Sequence, residues 1–292
     1  SRLKEAVARS GSFVLPGFYG ATVDGAIKLF QRGGGDITGA IVARCLDADL
    51  YENWTDVSGF LSADPRIVQN PRAIGRITFD EMRELSYMGA SVLQEEAIFP
   101  VREANIPIQI KNTNRPEDTG TVIRETADGD TNEHLITGIA GKKDFLAIHV
   151  KKAHMSNEVG VISRALNIVE RYGVSVEHIP TGVDSFGIVV NASDVKDTVY
   201  SIISDIRREI EPDDITMVDR LALVSVVGRN MSRRSGTSGK IFGALGNAGV
   251  NIRMITQSSE EISIIVGVDN ADFDRTIGVI YNGFVRDEMV SR

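Results

Sequence analysis

The C-terminal half of the chain repeats itself with a spacing of 76 residues, and this repeat constrains the fold more than any other sequence feature. Met155 aligns with Met231 and Gly160 with Gly236, and no gap is needed. Each copy reads as a strand, a glycine-bearing loop, an amphipathic helix, a strand, a polar turn, a further strand and a further helix. A duplicated α/β unit of this order is therefore expected.

This element order, followed by a closing strand, is that of a ferredoxin-like βαββαβ module. Gly173 and Gly249 stand where the first helix of each copy should end. The first copy can close its own sheet with residues 215–218, whereas the second copy has no sequence left for a closing strand. The strand-like residues 135–141, just before the first copy, are the available donor. We therefore predict two modules, one inserted in the other.

Gly160 and Gly236 lie in loops that enter a helix. Backbone N–H groups are unpaired there and the helix dipole favours negative charge, so such a loop can bind a carboxylate. Glycine also lets a ligand approach the backbone closely. The same glycines fit a plain turn, so the spacing leaves open a ligand site or a structural turn.

The N-terminal half alternates strand-like and helical runs over residues 12–123, which indicates an α/β layer structure. Its sharpest motif is residues 31–36, just before a helical segment. Three glycines there expose successive backbone amides, while Arg32 supplies a cation and Asp36 a carboxylate. Phosphoryl transfer to or from an anionic substrate needs such groups, although a glycine-rich turn remains the alternative.

A second candidate site follows an apolar strand. Thr55 and Asp56 end the strand, and Asp64 and Arg66 form a charged turn soon after it. Loops at the carboxyl ends of strands are where α/β sheets bind ligands. The two aspartates could hold Mg²⁺ indirectly or cap turns, and Arg66 could reach a phosphate or form a salt bridge. Trp54, beside this turn, is expected in the core.

The charge balance excludes one class of partner. The chain has 32 Lys and Arg against 40 Asp and Glu, a net charge of −8, and its densest basic group is the pair Arg233-Arg234. Binding of DNA or RNA needs grouped cations to neutralise phosphates. We therefore expect no nucleic-acid partner.

The cysteine, the histidines and the hydropathy of the chain limit which kinds of protein and metal site are possible. The one cysteine, Cys45, excludes an intrachain disulfide and indicates a reducing compartment; it lies in an apolar helical run and is expected in the core. No stretch reaches the ~18 apolar residues of a membrane span, and no signal peptide opens the chain. No metal-ligand spacing is present among His134, His149, His154 and His178. We predict a cytoplasmic protein with no membrane contact and no metal bound by its own side chains.

Several motifs together resemble the aspartate kinases, in the family's order and at the expected intervals. They are residues 31–36, 54–68, 84–93, 106–113, 116–123, 155–166 and 174–182. The resemblance covers nearly all 292 residues. It implies an α/β fold: the C-terminal part of a three-layer αβα amino-acid-kinase domain, followed by two ferredoxin-like ACT regulatory modules. It places the kinase part at 1–126, the first ACT module at 145–219, and the second at 133–142 plus 220–285.

The activity that the resemblance implies is transfer of the γ-phosphoryl group of ATP, with Mg²⁺, to the side-chain carboxylate of L-aspartate. The product is 4-phospho-L-aspartate, the first step towards lysine, threonine and methionine. Arg32 would bind aspartate and Asp36 would organise the transfer. The resemblance assigns substrate and nucleotide binding to Gly33, Gly34, Thr55, Asp56, Leu61, Arg66, Ser91 and Val92.

The chain departs from the family pattern at several positions. Leu61 stands near a usual tyrosine, Ser91 at a usual lysine and Gly35 at a usual serine. The family's Lys-Phe-Gly-Gly segment is absent, and the sequence opens at Ser1 with an amphipathic run leading into the strand-like residues 12–20. We therefore expect a fragment that is inactive by itself. The alternatives are a non-catalytic, amino-acid-sensing and dimerising subunit, or a different amino-acid kinase, against which the tandem ACT pair argues.

For the ACT pair the resemblance implies feedback inhibition by a pathway end-product, L-lysine or else L-threonine, in a homodimer joined through these modules. Glu177 suits the effector's ammonium group. Glu158 stands where many lysine-sensing relatives have serine. The implied effector-binding residues are Met155, Gly160, Val161, Ile162, Ser175, Val176, Glu177, Thr181 and Gly182.

Overall fold

A mixed β-sheet flanked by helices forms the N-terminal part of the computed structural model, which describes residues 2–30, 33–90, 92–93, 98–126, 134–232, 234–257 and 260–286. Four of the described strands are ordered β3-β5-β6-β4, with β3 parallel to β5, β4 parallel to β6, and β5 antiparallel to β6. Their bounds are β3 (Tyr51–Thr55), β4 (Arg76–Thr78), β5 (Ile108–Asn112) and β6 (Thr121–Arg124). A separate hairpin pairs β1 (Tyr19–Ala21) with β2 (Ile27–Leu29).

The helices of this part are α1 (Arg2–Ser10), α2 (Gly34–Leu46), α3 (Phe79–Tyr87) and α4 (Phe99–Glu103). A capping box starts α3: the Thr78 hydroxyl accepts from the Glu81 N–H, and the Glu81 carboxylate accepts from the Thr78 N–H. The amphipathic residues 95–105 contain α4, and residues 94–97 lie outside the described ranges.

Three sequence expectations for this part are wrong. Residues 12–18 do not form a strand; Pro16, which cannot donate to a ladder, interrupts the run, and β1 begins at Tyr19. Trp54 is 45% exposed rather than core, because side chains alternate along β3 and Asn53 takes the inward position. Cys45 is only partly buried, because α2 turns Ala40 and Ala43 towards the core.

Two long strands organise the C-terminal half. Among the described residues, five strands are ordered β10-β11-β9-β7-β8. Within this sheet β7 and β9 pair antiparallel from end to end, with irregularities between Lys142 and Ala147. The strand bounds are β7 (Gly138–Lys151), β8 (Ser185–Asn191), β9 (Asp214–Val227), β10 (Met254–Gln257) and β11 (Ser263–Asp269). The helices are α5 (Val161–Arg171), α6 (Val199–Ile210), α7 (Thr237–Asn247) and α8 (Phe273–Ile280).

Each long strand serves two modules. Residues 145–151 of β7 pair with β8 on one side and with 214–221 of β9 on the other, which builds the first module. Residues 138–142 pair with 223–227, which adds an edge strand to β9, β11 and β10 of the second module. The predicted insertion of one module in the other is therefore confirmed. The second strand expected in the first module is irregular and is represented by isolated bridges at His178 and Thr181.

Helices cover one face of each module, and the kinase part packs against the other. Helices α5 and α6 share a core with β7 and β8, and α7 and α8 share one with β9 and β11. A third core joins Met82 and Leu85 of α3 to Leu223 and Val227 of β9. The C-terminal sheet thus packs directly on a helix of the N-terminal part. Among the described helices, none is long and apolar enough to cross a membrane.

The donated strand fits tightly at Gly141. A Cβ there would lie 2.6 Å from the Leu223 carbonyl oxygen and 2.7 Å from the Phe273 ring. We expect Gly141→Ala to lower the free energy of unfolding by about 1–3 kcal/mol, because the backbone and ring must move apart. Denaturant unfolding measures the change. Gly239→Ala is the control, since Gly239 is exposed in α7 with no atom within 4 Å of the added methyl; an equal loss in both variants would contradict the prediction.

Candidate functional site

The N-terminus of α2 holds Asp36 against β3. Gly33 is the N-cap residue and Asp36 lies in the first turn. The buried Asn53 donates from Nδ2 to Asp36 Oδ1 at 2.8 Å, and the Tyr51 hydroxyl donates to the Asp36 carbonyl at 3.3 Å. Burial raises the pKa of the Tyr51 phenol, which keeps it a donor. Asp36 is thereby fixed at a helix N-terminus. Arg32, the cation of the same motif, lies outside the described residues.

The carboxyl ends of β3 and β5 meet at one edge of the sheet. Thr55 pairs with Asn112, and the Thr113 hydroxyl donates to the Thr55 carbonyl at 2.6 Å. The Thr55 hydroxyl donates to Asp56 Oδ1 at 3.2 Å. Buried Asn112 donates to the Ser58 hydroxyl at 2.9 Å. These bonds order the loop that leaves β3.

That loop opens into a cleft of about 580 Å³. Leu61, Arg66 and Val92, three of the predicted nucleotide-binding residues, line it, and it begins at Val57, directly after Asp56. Ser91 lies outside the described residues. Both candidate sites therefore adjoin β3: Asn53 of this strand binds Asp36, and the cleft begins just after the strand ends.

Gly59 holds the cleft loop against β6. Its φ of +100° is a conformation that suits glycine, and a Cβ there would lie 2.3 Å from Thr121 Oγ1. The buried Thr121 hydroxyl accepts from the Phe60 N–H at 2.8 Å and donates to the Ile74 carbonyl at 2.5 Å. The Thr121 side chain thus joins two separate parts of the loop, at Phe60 and at Ile74, to β6.

Asp64 and Arg66 form a closed turn at the cleft. Asp64 Oδ1 accepts from the Arg66 N–H at 2.8 Å, and the guanidinium Nη2 lies 2.6 Å from Oδ2. The hydrogen bonds from Arg66 lower the pKa of Asp64. Of the alternatives for Asp64, capping a turn is the one observed. The Arg66 side chain is 87% exposed, so it can reach a ligand at the cleft.

The residues predicted to bind an effector fall into three places in one chain. Met155, Val161, Ile162 and Val176 contribute to the core of the first module, and Gly160 is the N-cap residue of α5. An open groove of about 710 Å³ is lined by residues 173–179, which include Ser175, Val176 and Glu177. Thr181 and Gly182 line a different cleft, of about 380 Å³. A single cavity that joins all of them is not found among the described residues of one chain.

Glu177 contacts the kinase part, which sequence reasoning missed. The Tyr87 hydroxyl, at the end of α3, donates to Glu177 Oε2. Burial, and then the hydrogen bond to Glu177, raises the pKa of Tyr87 to about 12. Lys142 Nζ lies 5.2 Å from the centroid of the Tyr87 ring. A residue assigned to effector binding is thus bonded to a kinase helix.

Glu81 forms a second junction that sequence reasoning missed. Its side chain is 0% exposed and pairs with Arg229 Nη1 at 2.9 Å. Its Oε1 accepts from the Thr137 hydroxyl at 2.6 Å and from the Arg229 N–H at 2.9 Å. The capping box at the start of α3 is a sequence signal for Glu81, but it does not indicate that Glu81 binds Thr137 and Arg229. Glu81 therefore joins α3 to the residue just before β7 and to the loop after β9.

Glu158, which the sequence analysis also singled out, has structural partners. Glu158 pairs with Lys152 at 3.2 Å and with Arg164, and the hydrogen bond from Lys152 lowers the pKa of Glu158. Within the described ranges, no group of three or more His, Cys, Asp or Glu side chains is placed to hold a metal ion.

Two family models match the chain. The amino acid kinase family model matches residues 1–112, and an ACT domain model matches residues 224–284. Aspartokinase 3 of Bacillus subtilis strain 168 is 40% identical over 291 residues, which are 99% of this chain and 63% of that protein. By these matches the chain is similar to the aspartokinases over nearly all of its length.

Solved structures show the same similarity. The crystal structure of Clostridium acetobutylicum aspartate kinase superposes with a TM-score of 0.93 at 50% identity, covering 97% of this chain and 65% of that one. Escherichia coli aspartokinase III was solved with lysine and aspartate (TM-score 0.74, 26% identity, 92% of this chain and 59% of that one). It was also solved with aspartate and ADP (TM-score 0.73, 25% identity, 92% and 60%). The chain thus spans less than two thirds of the relatives it matches.

Proposed function

We propose that the protein is an aspartate kinase, which transfers the γ-phosphoryl group of ATP to the side-chain carboxylate of L-aspartate. One observation carries the proposal: both candidate sites adjoin β3, because Asn53 of that strand binds Asp36 and the cleft begins at Val57, just after the strand ends. A reaction between two bound substrates needs two adjacent sites of this kind. The aspartate and ADP bound in the E. coli relative support the same pair of substrates.

In this proposal a carboxylate oxygen of aspartate attacks the γ-phosphorus and the bond to the β-phosphate oxygen breaks, which gives 4-phospho-L-aspartate and ADP. The backbone amides at the start of α2, after Gly33, stabilise the charge that develops on the transferred group. Asp36, fixed by Asn53, organises the transfer, and Arg32 binds the substrate carboxylate. Product formation is the first step towards lysine, threonine and methionine.

The nucleotide enters the cleft after β3. Leu61 and Val92 contribute apolar lining, and Arg66 supplies a cation for the phosphates. Thr55 and Asp56, at the end of β3, would bind the nucleotide beside them. The residues fit Mg²⁺ as a companion of the nucleotide rather than as a resident ion, because Mg²⁺ is usually held by phosphates and one or two carboxylates. Asp36 and Asp56 could supply these. Bound there, the ion would neutralise phosphate charge.

For the 292-residue polypeptide assayed by itself, we expect turnover at least about a hundredfold below that of the full-length B. subtilis relative, because the sequence lacks the Lys-Phe-Gly-Gly segment. A coupled assay of ADP release with aspartate measures this. Nucleotide binding by the same sample provides the control for folding. Turnover equal to that of the relative would contradict the expectation.

The first ACT module is proposed as a sensor of L-lysine, or else of L-threonine. The effector carboxylate would meet the amides that follow Gly160, and its ammonium would meet Glu177. The lysine bound in the E. coli relative supports the first choice. The domain boundaries 1–126, 145–219 and 133–142 plus 220–285, and the cytoplasmic location, stay part of the proposal.

A homodimer through the ACT modules would complete this effector site. The groove at residues 173–179 lies along an irregular edge of the first module, where backbone can pair with a second copy. Predicted effector residues that lie apart in one chain could then meet across the dimer.

Calorimetric titration with L-lysine tests the sensor. Saturable heat at micromolar to millimolar lysine is expected. Heat with threonine instead would change the effector. A folded dimer that gives heat with neither amino acid would overturn sensing and leave the modules a role in assembly.

A further inference from the structure

The regulatory half of the chain supplies one wall of the cleft that begins after β3. This wall consists of Ile139–Gly141 of β7 together with Phe273 and Ile277 of α8. Phe273 and Ile277 are four residues apart, so they lie on the same face of the helix. Both are buried and belong to the core of the second module. The cleft is therefore a junction between the kinase part and this module.

The wall is held in position by packing and by charge. The close approach of Gly141 to the Phe273 ring leaves no room for a Cβ. Lys143 Nζ lies 4.8 Å from the centroid of the same ring and 3.1 Å from Asp274 Oδ1. Ring and helix are thereby packed against β7.

The chemistry of the lining divides between apolar walls and cationic groups. The second module contributes apolar side chains, while Arg66 and Arg115 line the cleft from the kinase part. A nucleotide has a flat ring with apolar faces at one end and phosphates at the other. The arginines suit the phosphates, so the ring is left for the apolar wall.

We propose that Phe273 and Ile277 form part of the base-binding surface of the nucleotide site, so that a bound nucleotide directly contacts the second ACT module. This inference rests on the proposed kinase function. Under this proposal Phe273 and Ile277 contribute to the affinity for the nucleotide.

The test compares two isoleucines of α8. Ile277 and Ile280 are 1% and 0% exposed and belong to the same core, and of the two it is Ile277 that lines the cleft. Calorimetry with Mg²⁺-ADP should show that Ile277→Ala weakens binding at least fivefold, while Ile280→Ala stays within twofold of the unmodified chain. Binding of tripolyphosphate should change in neither variant, because it has no base to contact the wall.

Each outcome decides a different claim. An unmodified, folded chain that does not bind ADP would overturn the proposed function. Normal ADP binding with equal effects of Ile277→Ala and Ile280→Ala, or with equal weakening of tripolyphosphate, would overturn the base-binding wall alone. If either alanine variant fails to fold, the pair Ile277→Val and Ile280→Val, each lacking one methylene-sized group, makes the same comparison. A smaller but selective loss of ADP affinity is then expected for Ile277→Val.

Discussion

Replacing Glu81 by alanine is expected to lower the free energy of unfolding by about 3–5 kcal/mol, the usual cost of breaking a buried ion pair from one side. Glu81 is fully buried and binds Arg229, Thr137 and the capping residue Thr78. Its removal takes a buried carboxylate acceptor away from the Arg229 guanidinium and from the Thr137 and Thr78 donors. Urea unfolding followed by fluorescence and circular dichroism measures the loss.

A matched pair on the surface provides the control. Glu209 pairs with Arg171 at 2.6 Å, with both side chains partly exposed. Glu209→Ala should cost less than about 1 kcal/mol, since water replaces an exposed partner. Equal costs at the two sites would mean that the Glu81 network contributes little.

A double variant separates the charge from the packing. Glu81→Leu with Arg229→Met removes both charges, so the cation that loses its buried carboxylate in the single variant disappears too. The double variant should therefore be more stable than Glu81→Leu, a non-additivity that a double-mutant cycle measures. Additive losses would show that the two side chains act independently.

The second large effect is on effector binding. Glu177→Gln should weaken L-lysine binding roughly tenfold to a hundredfold, because a hydrogen bond to a charged group contributes about 1.5–3 kcal/mol. Calorimetry against the unmodified chain measures it. Glu170 is an exposed carboxylate of α5 that lines the same groove. Glu170→Gln removes the same charge and should change lysine affinity less than about threefold, because the charge of an exposed carboxylate is screened by solvent and salt.

Tyr87 gives a further check on the same site. Its hydroxyl uses one acceptor position of Glu177, and a carboxylate has about four such positions. Tyr87→Phe should therefore leave lysine affinity within about threefold, unlike Glu177→Gln. A loss in Tyr87→Phe as large as that in Glu177→Gln would place the ammonium elsewhere.

The sequence predicts the C-terminal half well because its signals are local and occur twice. The repeat of Met155 and Gly160 at Met231 and Gly236 fixes the element order, and the missing closing strand identifies its donor at 138–142. Errors arise where a strand has no regular partner. Residues 12–18 and the second strand of the first module have strand-like composition, but extended chain becomes a strand only when another strand pairs with it.

The contacts of the candidate site are harder to predict because they join distant parts of the chain. Glu81 meets Arg229, Tyr87 meets Glu177, and Ile277 lines a cleft that starts at Val57. Hydrophobic periodicity identifies a buried face, yet it does not say which other face will cover it. The family resemblance names Leu61, Arg66 and Val92, and the structure adds the wall opposite them.

The sharing of β7 and β9 also bears on the order in which the modules fold. Residues 138–142 are synthesised long before their partner 223–227, and bringing the two together closes a long loop at an entropic cost. The first module is contiguous in sequence, and its own strands pair within that loop. Once it has folded, it holds the two ends side by side, so the second module starts with its edge strand already in register. The inserted module is thus expected to fold first and to serve as the template for the module that surrounds it.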